Sequence, residues 1–382
     1  FPYLFFISLT AFAGGILNSH GRFGVPAFTP VLLNLVMIGC ALWLAPAMNQ
    51  PIMALAWGVL IAGISQFVFQ LPFLHQIRLV PRFKVVKNDE GVNRILKLMG
   101  PALFGVSVTQ INLLLDTLIA SFLVSGSISW LYYSDRLMEF PLGILAVALG
   151  TVVLPGLSQR HAEKSPQAFS DMLDWGLRLL LLFGIPSALG LALLAQPMIA
   201  TLFQSAVFTA QDVQMASYSL WAYSLGLVGF MLIKVLAPGY YARQDTRTPV
   251  RIAVIAMVAN MIMNLVLVFP LQHAGLALAT SLSALLNAAL LYRGLRREAV
   301  YSPCAGWGKL LLRIGLASLL MSLMILWLNP SATFWLEAER LPKILWLLGL
   351  IAAAGVTFLV SLLAVGVRPA DFRDKPTKQN MP

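Results

Sequence analysis

The sequence predicts an all-α fold, a polytopic bundle of membrane-spanning helices, and three observations carry that prediction. Hydrophobic residues fill 59% of 382 positions and charged residues only 11%, with a mean hydropathy of +0.82; a soluble globular domain is about a quarter charged. The apolar residues gather in runs of about 20, the length that crosses about 30 Å of hydrocarbon as helix. The Lys and Arg residues, Arg136 apart, fall between those runs or near their ends and collect at alternate junctions.

In chain order, a partial run at 1–17 precedes ten complete ones at 26–46, 51–73, 95–123, 128–157, 173–195, 216–238, 249–269, 274–292, 307–328 and 341–366. The chain opens on Phe1-Pro2-Tyr3 inside an apolar run, with no initiator Met, basic leader or small-residue cleavage site, so the first run reads as the remainder of a longer helix. The junctions are short except 74–94, 158–172 and 196–215, and none is large enough for a separate soluble domain. Chemistry is therefore expected in or beside the membrane. Pro101, Pro141, Pro155 and Pro186 lie inside spans, as ordinary membrane-helix kinks or as bending points of a moving protein. A faint echo links GGILNSHGRFGVP (14–26) to LAPGYYARQDTRTP (236–249): each runs from the end of one span through a polar turn to a Pro that opens the next. Such repeats occur in transporters built from two related halves.

Charge sets the orientation. One side receives Arg22; Arg78, Arg82, Lys84, Lys87, Arg94 and Lys97; Arg160, Lys164 and Arg178; Lys234, Arg243, Arg247 and Arg251; Arg293, Arg296, Arg297, Lys309 and Arg313; and Arg368, Arg373, Lys375 and Lys378. The other side has Arg340 and Lys343, a ratio of 23 to 2. By the positive-inside rule the basic side, including the tail 367–382, is cytoplasmic. The net charge of +11 thus reads as topology and contact with anionic lipid headgroups rather than nucleic-acid binding. Cys40 and Cys304 are the only cysteines, which excludes a disulfide framework.

Two polar constellations interrupt the apolar spans. Asp135, Arg136 and Glu139 fall within roughly a 100° arc of one helix, about 10 Å inside its extracytoplasmic end. Such a face must line protein or water, because a charge facing lipid costs several kcal/mol. It serves either as a self-neutralising cluster between helices or as a substrate site, in which Arg136 offers a planar fork of donors to phosphate or carboxylate. The second constellation shares one depth: Asp116, Asn260, Asn264 and Thr280 each lie about 9–15 Å from the outer ends of their helices. Asn260 and Asn264, spaced i, i+4, share a face. The set makes ordinary interhelical hydrogen bonds or supplies hard oxygen ligands to an alkali cation, sodium being the candidate. The four histidines, His20, His75, His161 and His273, sit singly at loops or span ends, and no Gly-rich phosphate loop, GxSxG or HExxH is present.

The stretches MGPALFGVSVTQINLLLDTLIASFL (99–123), YYSDRLMEFPLGILAVALGTVVLP (132–155) and KVLAPGYYARQDTRTPV (234–250) resemble the MviN/MurJ family, the lipid II flippases of bacterial peptidoglycan synthesis in the MOP exporter superfamily. The likeness covers essentially the whole chain, with its motifs in order and at matching spacing. It implies fourteen helices with both termini cytoplasmic: two six-helix lobes around a central cavity, then a final pair. This chain would hold about ten and a half of them, from within the fourth helix through the fourteenth. Residues 1–73 would be the remainder of the N-terminal lobe, 74–94 a basic cytoplasmic linker and 95–296 the C-terminal lobe. Residues 307–366 would form the final pair with a groove for the lipid tail, and 367–382 a cytoplasmic tail.

The resemblance implies a transporter of the bacterial inner membrane, not an enzyme. It would move undecaprenyl-diphosphate-linked disaccharide-pentapeptide from the cytoplasmic to the outer leaflet by alternating access, without a bound cofactor. Arg136, with Asp135 and Glu139 on the cavity-lining eighth helix, would meet the diphosphate–sugar headgroup. Sodium, protons or membrane potential would drive the cycle, with sodium at the Asp116 level. Lipid II, membrane lipids and, as candidates, peptidoglycan-synthesis proteins are the implied partners. The family's first two helices supply cationic cavity residues that this sequence lacks, so the chain alone is not expected to transport. Two rivals stand beside this reading: an exporter of another lipid-linked oligosaccharide or a drug, and a membrane transferase acting on polyprenyl-diphosphate sugars. The outer junctions 46–51, 124–128 and 270–273 are too short and neutral for the latter's chemistry.

Overall fold

The computed structural model describes residues 2–79, 91, 107 and 110–367, and the described residues are helices joined by short turns, without strands. The chain divides into two compact units, Phe1–Arg94 and Ile95–Pro382. Residues 80–90 of the expected linker, Pro101 with the first part of the expected span 95–123, and the tail from 368 lie outside the described residues.

The first unit packs α3 (Pro51–Gln76) against α1 (Pro2–Ser19) and α2 (Gly24–Gly39). Along α1 the buried positions Thr10, Ala13, Gly14 and Leu17 recur every three or four residues, the stripe expected of a helix with one protein-facing side. Leu74 of α3 closes over Ala13 and Leu17. Pro30 in α2 has no N–H for the carbonyl of Pro26. The Thr29 hydroxyl donates to that carbonyl instead at 2.8 Å, and the Gln66 amide of α3 donates to Thr29 O at 2.8 Å. A π-helical turn, Cys40–Leu44, and a 3₁₀ turn, Ala45–Ala47, end this span.

The second unit contains α4 (110–121), α5 (Ser127–Pro141), α6 (Val147–Ala162), α7 (Pro166–Leu193), α8 (Ala195–Phe203), α9 (Ala210–Tyr241), α10 (Arg247–Arg297), α11 (Trp307–Leu328), α12 (Ala332–Glu337) and α13 (Arg340–Ala364). The expected span 128–157 is α5 and α6 joined by a π-helical turn, Leu142–Ala146, directly after Pro141, where the proline withholds its N–H from the preceding turn. Pro155 and Pro186 sit inside uninterrupted helices. The spans 249–269 and 274–292 are the two arms of α10. At 1.5 Å per residue a straight helix of this length would be about 76 Å, more than twice the hydrocarbon thickness. Gln272, at φ 49° and ψ −128°, breaks the helical path. Beyond it the arms fold back on each other, and the Ser283 hydroxyl donates to Ala256 O at 2.8 Å.

Among the described residues eight helices are long and apolar enough to cross a membrane, α10 with its two arms included. The expected loops 158–172 and 196–215 are largely helical. Their polar turns extend α6, α7 and α9 past the hydrocarbon, where hydropathy no longer marks them, and α8 occupies most of the second. Pro26 and Pro249, the matched ends of the internal echo, each stand third in their helices, α2 and α10.

The hub of the second unit is α9, which packs against α5, α6, α7, α8 and α10. Its approach to α10 is so close that a methyl group at Gly226 would lie 2.6 Å from the Ser281 backbone, and one at Gly229 2.9 Å from that of Leu285. Small residues bring membrane helices together in this way when lipid offers no hydrophobic drive.

The last helices are tied to the unit at both ends. Asp174 of α7, only 3% exposed, accepts hydrogen bonds at one oxygen from the Tyr301 hydroxyl (2.7 Å), the Trp307 indole (2.7 Å) and the Cys304 backbone N–H (3.1 Å). Its other oxygen pairs with Arg178, which donates to the carbonyls of Cys304 (3.2 Å) and Ala305 (2.9 Å) and lies 5.1 Å from the Trp307 ring centre. At the opposite end the buried Lys343 ammonium of α13 donates to Gln204 Oε1 (2.9 Å) and Leu336 O (3.3 Å).

Burial, with the Asp174 carboxylate and then Asp171, pushes the Cys304 thiol up to about 11. At pH 8 the thiolate needed for alkylation is then about 100-fold scarcer than for an ordinary thiol. Maleimide labelling of Cys304 is expected to be tens of times slower at pH 8 than that of a cysteine placed at the exposed Ser302, and to accelerate steeply above pH 10. Equal rates would mean that Asp174 does not hold this linker closed.

Candidate functional site

The structure brings together all four residues of the Asp116 level. From α10, the Asn264 amide donates to Asp116 Oδ1 at 2.6 Å and to Asn260 Oδ1 at 3.0 Å. The Asn260 amide donates to Thr280 Oγ at 3.3 Å, and that hydroxyl donates to Asp116 Oδ2 at 3.4 Å. Asn260 and Asn264 are fully buried. One member escaped sequence reading: Asn112, a turn before Asp116 on α4, donates to Oδ2 at 3.3 Å. Its i, i+4 spacing from Asp116 was the available signal.

Three of these five bonds end on the carboxylate, and the partners that the structure gives Asp116 are neutral. Two acceptors are left over, Asn264 Oδ1 and Asn112 Oδ1, both buried without a hydrogen bond. A carboxylate, two orphaned amide oxygens and a hydroxyl are hard oxygen donors of the kind that alkali and alkaline-earth cations take. No group of three or more His, Cys, Asp or Glu side chains that could hold a metal ion occurs among the described residues. The donor set thus suits a weakly held cation better than a transition metal.

The second constellation is positioned by the buried face of α5. The Ser134 hydroxyl lies 2.7 Å from both Trp130 O and Ala216 O, donating to one at a time. The Trp130 indole donates to Asp212 Oδ1 at 2.8 Å, and Asp212 in turn caps α9 by accepting from the Thr209 N–H and hydroxyl, each at 2.7 Å. The Trp130 ring also rests 4.7 Å from His273, whose Nε2 donates to Met215 O at 2.9 Å. His273 is thus structural. Tyr133 stacks on Phe203 at 4.4 Å. These contacts oppose rotation of α5.

On the other side of α5, Arg136 and Glu139 form an ion pair with side chains 50% and 48% exposed, and the guanidinium lies 5.0 Å from the Tyr132 ring centre. Asp135 is half-buried and interacts electrostatically with both Glu139 and Arg136, while the ion pair of the arginine is made by Glu139. Tyr223 of α9, 8% exposed, interacts electrostatically with both Asp135 and Asp116. It lies near both constellations and was missed because no spacing in its apolar span marks it.

Near the C-terminal end of α11 and the N-terminal half of α13, Leu328, Leu345, Trp346, Gly349 and Leu350 line an apolar cavity of about 370 Å³.

Comparison with known proteins gives one answer. The family model described as lipid II flippase MurJ matches residues 1–362. The chain is 50% identical over 374 residues to the probable lipid II flippase MurJ of Haemophilus influenzae, covering 96% of this chain and 73% of that protein. It is also 50% identical over 373 residues to the Vibrio cholerae protein of the same name, covering 98% and 71%. A lipid II flippase MurJ from Burkholderia cenocepacia is 41% identical over 378 residues, covering 98% and 73%. Among solved structures, a lipid II flippase MurJ in an inward closed conformation superposes with a TM-score of 0.76 at 29% identity, over 94% of this chain and 71% of that one.

The lock on α5 is open to test. Asp212→Ala removes both the cap of α9 and the partner of the Trp130 indole, at an expected cost of about 2 kcal/mol. Thermal unfolding in detergent should show a midpoint several degrees lower, and Trp130→Phe should add little once Asp212 is gone. Fully additive losses would disprove the shared anchor.

Proposed function

We infer the function from one premise: the chain belongs to the lipid II flippase MurJ family. It is an integral membrane protein that moves a lipid across the bilayer and makes no covalent bond, and the rival readings as a membrane transferase or an exporter of other cargo give way to the family match. The finer reading is that lipid II passes from the cytoplasmic to the outer leaflet by alternating access, with the basic side of the chain and its C-terminus in the cytoplasm. The 23-to-2 division of Lys and Arg supports that orientation. The break between the two units at Arg94 and Ile95 supports an N-terminal lobe remainder, a linker, and a C-terminal lobe carrying the final helix pair.

The observation that carries the site is the half-exposed Arg136–Glu139 pair on a helix whose other face is fixed. Hydrocarbon cannot cover such a pair cheaply, so water, protein or cargo does. A diphosphate presents two acceptor groups to the guanidinium fork and competes with Glu139 for it. Arrival of the headgroup thus exchanges an internal ion pair for an external one, while the Tyr132 ring supports the guanidinium from behind. The apolar cavity between α11 and α13 suits a polyprenyl tail.

Asp116 and its neutral donors form the coupling site, and sodium is the ion the oxygen set fits. Tyr223 lies near both Asp116 and Asp135. Coupled transport requires that cation and headgroup each change the other's affinity by the same factor.

In a cell whose only flippase is a full-length protein carrying this sequence, Arg136→Ala should lower lipid II exposure on the outer face at least about tenfold, the loss expected for a charge-assisted hydrogen bond. Protein level and membrane insertion should be unchanged. Unaltered exposure would remove Arg136 from the transport path. Separately, replacing potassium by sodium should raise the thermal midpoint of the wild type and leave Asp116→Asn unmoved; sodium stabilisation that survives the substitution would exclude this site.

A further inference from the structure

The basic end of the second unit contains a cavity that neither constellation uses, and we propose that it binds the phosphate of an anionic phospholipid headgroup. The cavity has a volume of about 330 Å³, with Arg160, His161, Lys164, Ser165, Phe169 and Arg243 among its lining residues. Three permanent cations meet there, and the residues lining the cavity include no acid. Glu298 accepts from Arg243 at 2.8 Å, and Asp245 also interacts with that arginine.

Two features of the backbone aim at the same space. The turn closing α6 places Lys164 at φ 53°, with the Lys164 N–H donating to His161 O (3.1 Å) and the Ser165 N–H donating to Arg160 O (3.2 Å). That is the helix-ending turn in which glycine is the usual residue, because a side chain there costs about 1–2 kcal/mol. A lysine in that position carries a positive charge into the cavity mouth. The second feature is the start of α7, a 28-residue helix whose cap residue, Ser165, makes no side-chain hydrogen bond to the first turn. Its leading amides and dipole favour an anion.

The walls come from three junctions, α6/α7, α9/α10 and α10/α11. One bound phosphate would therefore tie three otherwise separate turns. Phe169, buried beside the cations, and the exposed apolar faces of the neighbouring helices provide for acyl chains below the headgroup. The assignment to the cytoplasmic leaflet rests on the orientation proposed above; phosphate binding itself does not, so the two fail separately.

The test uses full-length protein in neutral detergent, titrated with phosphatidylglycerol and, in parallel, with inorganic phosphate, reading bound lipid by native mass spectrometry and stability by thermal unfolding. Phosphatidylglycerol should bind and stabilise the wild type. Lys164→Glu, a change at an exposed side chain, should weaken binding about tenfold or more. Glu298→Gln, which releases Arg243, should strengthen it. Lys309→Glu, an equal change of charge at an exposed position outside the cavity, should leave binding within about twofold. If Lys309→Glu weakens binding as much as Lys164→Glu, attraction is diffuse and the site is overturned. If inorganic phosphate alone stabilises the wild type and phosphatidylglycerol adds nothing, the lipid assignment is overturned in favour of a soluble phosphate. No effect of either ligand overturns both.

Discussion

Inside hydrocarbon no water is available to satisfy a polar group, and each N–H, carbonyl and hydroxyl at that depth must find its partner within the protein. The arrangement of both units follows from that constraint. In the first, the carbonyl that Pro30 leaves without a donor is claimed by Thr29, and α3 sends Gln66 to the carbonyl of Thr29 itself. In the second, Ser134 reaches Ala216 O, Ser281 reaches Ala222 O and Ser283 reaches Ala256 O, so serines join α5 to α9, α9 to α10, and the arms of α10 to each other. These short contacts, together with Gly226 and Gly229, fix helix spacing where lipid supplies no inward pressure.

The same constraint explains why the functional residues occupy two unlike environments. At Asp116 an acid is surrounded by neutral donors and two orphaned acceptors among the described residues. At Arg136 the charge is matched by Glu139 but half open. Tyr223 of α9, the helix that organises packing, lies near both sites.

Much of this was legible in the sequence. Span positions follow from apolar length, which burial and lipid both reward. The Asn260–Asn264 pair and the Arg136–Glu139 pair are separations of four and three residues, read directly from helical geometry. What escaped had no periodic signature. Gln272 reverses a helix through a single residue of unusual backbone geometry. Asp135 and Arg136 are adjacent, so spacing alone does not show that Arg136 is the more exposed of the two; the packing of Ser134 and Trp130 sets that. The short α8 and α12 lie outside the apolar windows, and α12 is too brief to show a period. Membership in the family entered through ordered motifs, which local physics alone does not supply.

Asp174 has a consequence for how this sequence can drift. One carboxylate oxygen receives three donors, from Tyr301, Cys304 and Trp307, while its twin faces Arg178, whose guanidinium answers the carbonyls of Cys304 and Ala305. Replacing Asp174 would leave all of these donors without their shared acceptor, so change at that position must come with compensating changes around it. An insertion or deletion between Glu298 and Trp307 would shift every donor out of reach at once. The segment joining α10 to α11 should therefore hold its length among descendants of this chain more strictly than its exposed, irregular appearance suggests.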